Sequence, residues 1–244
     1  MTPPPIPNER QNNPAMTRHF TFAPLPPDQS PALLIEALLK HPGQIIHELQ
    51  FNWRIGLTTW LVVFAVAGMA LYGLVVGSFS GGAQFWVAPA KLALGTTLSV
   101  LICLPSLYIF ACLSGMDARL RTVTGVLFAA VGLGALLLVG FAPVAWIFSQ
   151  SSDSIVFMGT LHLILWAIGI YFGLRLIKGM SQLLSGRSRN QLRLWALIFA
   201  VVCLQMMTTL RPIIVPGKTF FPTEKKFFLA NWVESLNGDS SKRQ

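Results

Sequence analysis

Five apolar stretches without a single Asp, Glu, Lys or Arg dominate this chain, at residues 56–77, 92–113, 122–148, 155–174 and 194–210. A run of about 20 apolar residues matches the roughly 30 Å hydrocarbon core of a bilayer. In lipid each backbone N–H and C=O must be satisfied inside the protein, which makes such runs helices. The expectation is an all-α fold, a polytopic transmembrane bundle of five helices. His162 is the one side chain in these stretches that titrates near neutral pH. A membrane interior this poor in reactive groups argues for a non-enzymatic protein.

The charge is confined to the connecting segments. Charged residues make up 11% of the chain, against about 25% in soluble domains. The net charge of +9 does not point to nucleic acid, because the basic residues flank the stretches, where lipid headgroups lie. Arg10, Arg18, Lys40 and Arg54 precede the first stretch, and Lys91 alone stands before the second, at its expected boundary. Arg119 and Arg121 lie between the second and third. Between the third and fourth there are none, and Arg175, Lys178, Arg187, Arg189 and Arg193 follow the fourth. Basic residues are retained on the cytoplasmic side. The alternation therefore predicts a cytoplasmic N-terminus and, with five spans, a non-cytoplasmic C-terminus. The basic tail (Arg211, Lys218, Lys225, Lys226, Lys242, Arg243) runs against the pattern, and the fifth stretch is the shortest at 17 residues.

The domain organisation follows. Residues 1–29 are polar and rich in proline, a composition that favours a solvated polyproline-II tail. Pro24 and Pro27 have the spacing of a docking peptide for an SH3- or WW-like groove. Within residues 30–54, Ser30-Pro31 marks a helix start and His41-Pro42-Gly43 a break. Two short amphipathic helices are expected there, lying in the membrane interface or packed as a cap on the loops. The transmembrane domain spans residues 55–210. The tail, residues 211–244, is expected to carry an amphipathic helix over 223–237, with Phe228, Leu229, Trp232, Val233 and Leu236 on one outer interface face.

Small residues and prolines shape the expected bundle. Gly73 and Gly77 form a GxxxG, and Gly132 and Gly134 lie in a glycine- and alanine-rich third span; both patterns let helices approach closely. That third span is expected to be central. Pro105 is expected to kink the second span, since it cannot donate to the helix ladder. Trp60, Trp86, Trp146 and Trp195 fall near span ends as an aromatic belt. Cys103, Cys112 and Cys203 read as packing residues, with no CxxC spacing.

An ionisable group inside the membrane is a functional candidate, and His162 is expected to pair with Gln205 at a similar depth. A proton relay normally needs a carboxylate or a second histidine, and these stretches supply neither. The chain holds no GxGD, GxSG or HExxH motif, so no catalytic residue, cofactor or metal is expected.

The order of elements resembles the Yip family of five-helix membrane proteins. The resemblance rests on a Pro-rich N-terminus, the amphipathic segment "KHPGQIIHELQFNWR" (40–54), five closely spaced helices and the proline of "LPSLYIF" (104–110), and covers residues 40–210. It implies a membrane adaptor of the kind that recruits Rab-type GTPases or shapes membranes. The tail after residue 210 departs from that pattern and suggests an outer-face partner. The resulting expectation is an adaptor or accessory subunit of a membrane complex, placed in a bacterial inner membrane given its compact loops. Its partners would be membrane lipids and other membrane subunits or further copies of the chain. A lipid- or small-solute-handling permease-like component is the alternative.

Overall fold

The computed structural model describes residues 24–25, 30–80, 84–117, 119–151, 155–184 and 194–202. Six helices follow one another: α1 (Pro31–Lys40), α2 (Pro42–Phe51), α3 (Ile55–Ser80), α4 (Gln84–Leu113), α5 (Leu120–Ser151) and α6 (Ile155–Leu183). Residues 194–202 are also helical. Among the described residues, four helices are long and apolar enough to cross a membrane: Ile55–Ser78, Phe85–Leu113, Leu120–Ser151 and Phe157–Leu183. They correspond to the first four expected spans. Only residues 194–202 of the expected fifth span lie among the described residues; the rest of it and the 223–237 helix lie outside them.

The second span begins earlier than its charge-free run. Phe85, Trp86, Val87 and Ala88 extend the helix ahead of Lys91, which becomes the eighth residue of α4 and is 2% exposed rather than standing at a boundary. One lysine does not end a helix when apolar residues continue on both sides of it. α4 also runs through Pro89 and Pro105, and α5 through Pro143.

α5 is the centre of the bundle. Of its most apolar stretch 67% is buried, against 50% or less in the other three spans. α3 and α6 pack along it, and α4 packs chiefly on α3. Glycines set these approaches. A Cβ at Gly73 of α3 would lie 2.5 Å from Pro89 Cα of α4. Gly134 of α5 and Gly169 of α6 face each other, each Cβ position 3.3–3.4 Å from the other's carbonyl oxygen. Gly173 meets the carbonyl of Ala130 at 2.9 Å. Gly132 is looser, 3.5 Å from the carbonyl of Leu61. Gly77 is buried in α3.

The turn into α5 is a Schellman closure. Gly115 adopts φ +75°, Gly115 N–H donates to Cys112 C=O and Met116 N–H donates to Ala111 C=O. Such a backbone suits glycine because it has no Cβ to clash.

α1 and α2 cap one end of the bundle. The Ser30 side chain accepts from Leu33 N–H, and Pro31 opens the first turn. The apolar faces of both helices are directed at protein: Leu34, Leu38, Ile45, Ile46 and Leu49 are fully buried. α2 packs on α5 and α6. Leu49 fills the notch left by Gly125, whose Cβ would lie 2.5 Å from Leu49 Cδ2. Thr122 Oγ1 donates to Leu49 C=O at 3.2 Å, and Gln50 Nε2 to Asp117 C=O at 3.3 Å. The proline-rich segment touches this cap as well. Leu25 is buried, and its N–H donates to Glu48 Oε1 at 3.1 Å. Asn52 Nδ2 donates to the same oxygen at 3.4 Å.

Candidate functional site: a sealed polar pair above an apolar cavity

His162 stands on α6 and Tyr72 on α3, each about two turns from the same end of the bundle by the 1.5 Å rise per residue. The Tyr72 hydroxyl lies 2.7 Å from His162 Nδ1. The rings meet edge to face, with centroids 5.7 Å apart at 85°. Tyr72 is 1% and His162 8% exposed, so the pair is dry. With the imidazole proton on Nε2, Nδ1 accepts the phenol proton.

Gln205, the partner expected from the sequence, lies outside the described residues. The sequence reading passed over Tyr72 because a tyrosine in an apolar run looks like packing. The available signal was depth, since Tyr72 lies as far from the end of the first span as His162 lies from the start of the fourth.

One helical turn further in, Met69 and Trp166 follow Tyr72 and His162 on the same faces of α3 and α6. These two help line an apolar cavity of ≈ 40 Å³. Its floor is Ala130, Val131 and Gly134 of α5, and its sides include Thr96 of α4, Gly169 and Gly173 of α6 and Phe199. Trp166 is 7% exposed, and its Nε1 has no hydrogen-bond partner. Apart from Thr96 and the Trp166 ring nitrogen, the side chains that line it are apolar.

The segment 194–202 contributes Phe199 to the cavity lining and packs on α4 through Trp195. Trp195 is fully buried, stacks on Phe199 with centroids 5.1 Å apart, and donates from Nε1 to Ser106 Oγ of α4 at 3.1 Å. It is therefore a packing residue, whereas Trp60, Trp86 and Trp146 are exposed as belt residues are. Chemically, the Tyr72–His162 pair can fasten α3 to α6. Among the described residues, no three His, Cys, Asp or Glu side chains gather as a metal site.

Fold and site define a polytopic α-helical protein whose spans are apolar and whose one titratable imidazole in those spans is bonded to a tyrosine. No protein-family model, curated protein or solved structure matches the chain.

Proposed function

We propose that this chain is a non-enzymatic integral membrane adaptor or accessory subunit, of the kind the Yip resemblance implies. The observation that carries the reading is the sealed Tyr72–His162 pair, since the one intramembrane histidine is bonded, buried and closed to water. A permease predicts a polar, water-lined cleft at that histidine. An enzyme needs a nucleophile and base beside a space for substrate, and the adjoining cavity has an apolar lining. The cap supports the same reading, because α1 and α2 present a folded surface held to the bundle at one end.

The proposed arrangement has five spans, a cytoplasmic N-terminus and cap, and a non-cytoplasmic tail offering Phe228, Leu229, Trp232, Val233 and Leu236 to an outer partner. A bacterial inner membrane is the proposed location. Purification from native membrane in mild detergent, followed by mass spectrometry, tests the function. A stoichiometric membrane partner is the expected result, and a chain that arrives alone overturns it. Reporter fusions at residue 244 test the topology, and a cytoplasmic signal there overturns the five-span arrangement.

A second reading, lipid handling, draws on the cavity beneath Met69 and Trp166. It predicts that apolar lipid, rather than a protein, comes with the purified chain.

A further inference from the structure

The junction where α2 meets the starts of α3 and α5 carries an exposed cluster of a different chemistry. Arg54, Arg119 and Arg121 are exposed, as are Phe51, Ile55 and Leu120. Trp53, 36% exposed, lies among them, with the Arg121 guanidinium over its ring at 5.3 Å from the centroid. Two side-chain-to-backbone hydrogen bonds join the elements that carry the cluster. Thr122 Oγ1 donates to Leu49 C=O and Gln50 Nε2 to Asp117 C=O, tying the end of α2 to the chain entering α5. The Asp117 side chain is exposed in the same loop and is the acid nearest in sequence to the α5 arginines. Glu48 is buried, bonded to Leu25 and Asn52, and Glu36 pairs with Lys40.

Placement identifies the occupant. Ile55 and Leu120 begin two membrane spans, so the arginines stand at the depth of lipid phosphates. The exposed Phe51, Ile55 and Leu120 face a medium that tolerates apolar surface, and tryptophan settles at the headgroup level. Guanidinium groups pair with phosphate oxygens through a planar fork of donors. We infer that Trp53, Arg54, Arg119 and Arg121 form a binding site for the phosphate of an anionic phospholipid. It fastens the cap-bearing end of the bundle to the headgroup layer. Arg121 is oriented by the Trp53 ring, while Arg54 and Arg119 supply further charge. A neutral zwitterionic lipid carries the same phosphate but adds a cation that three arginines repel, so net lipid charge decides occupancy.

The test uses the full chain in detergent with added phosphatidylglycerol or phosphatidylcholine, bound lipid being counted by native mass spectrometry. The wild type is expected to retain phosphatidylglycerol preferentially. Each arginine contributes on the order of fivefold to that preference. R54Q, R119Q and R121Q should weaken it stepwise, and the triple variant should abolish it. K178Q, an exposed cation outside the cluster, should weaken it less than R121Q. W53L should weaken it by loosening Arg121, with the far-ultraviolet spectrum and thermal midpoint reporting that each variant folds. Equal retention of the two lipids by the wild type overturns the inference. So does a folded triple variant that keeps the preference, or a K178Q effect as large as R121Q.

Discussion

Replacing Tyr72 by Phe removes one oxygen and leaves the edge-to-face ring contact with His162 in place. The loss is then confined to the 2.7 Å hydrogen bond and to a buried Nδ1 without its partner. Interhelical hydrogen bonds in membranes average about 0.6 kcal/mol and reach about 1.7. Leaving a buried acceptor unsatisfied costs about 1–3 kcal/mol. This bond is short and dry and joins two helices distant in sequence, so the expected destabilisation is about 1–1.5 kcal/mol, towards the upper membrane value. The assay is reversible unfolding in mixed micelles titrated with a denaturing detergent, carried out on Y72F, H162L and the double variant. H162L removes the same bond from the other side, so the double variant should cost less than the sum of the single ones. The expected coupling is at least about 0.6 kcal/mol. Additivity to within about 0.3 kcal/mol would refute the hydrogen bond as an element of stability. Loss of partner binding by Y72F at unchanged stability would refute the purely structural role of the pair.

Gly73→Ala places a Cβ 2.5 Å from Pro89 Cα and must push α3 from α4. It should cost about 1–3 kcal/mol in the same unfolding assay, whereas Gly56→Ala, which meets nothing within 4 Å, should be near neutral. Glu48→Ala leaves the Leu25 N–H unpartnered, so limited proteolysis should cut near residue 25 markedly faster than in the wild type. Leu38→Ala empties a fully buried site under the cap and should destabilise by about 2–5 kcal/mol, read as a lowered midpoint. Lys40 holds the Glu36 carboxyl below its ordinary value, first by its hydrogen bond and then by its charge. A lowered folded value means that any stabilisation is present above the ordinary carboxylate range and is lost as pH falls through the folded value. The pair is exposed, so K40A should raise the Glu36 titration seen by NMR while leaving the unfolding midpoint unchanged.

Much of the membrane architecture was legible along the chain because spans are a local property. The runs over 56–77, 92–113, 122–148 and 155–174 each lie within a long apolar helix. The central place of α5 followed from its small residues, since glycine and alanine permit contact on several faces. The helix start at Ser30-Pro31 was equally local. Lys91 was less legible, because charge counting treats a lysine as a boundary while the helix responds to the apolar residues on both sides. Trp195 looked like a belt residue from its position, but its surroundings are set by Ser106, which is 89 residues away in sequence.

The site depended on pairing that no local pattern contains. His162 stood out as the lone imidazole in the spans, but its partner was set by how α3 and α6 lie about α5, which brings together residues 90 positions apart. The arginine cluster likewise joins residues from two separate connections. By itself, the sequence determined that the chain forms long apolar helices, because hydrocarbon leaves the backbone no partner outside the helix. The tertiary structure alone decided which polar groups inside those helices meet, because side chains of different helices come within bonding distance only through the packing angles and close approaches that the glycines allow.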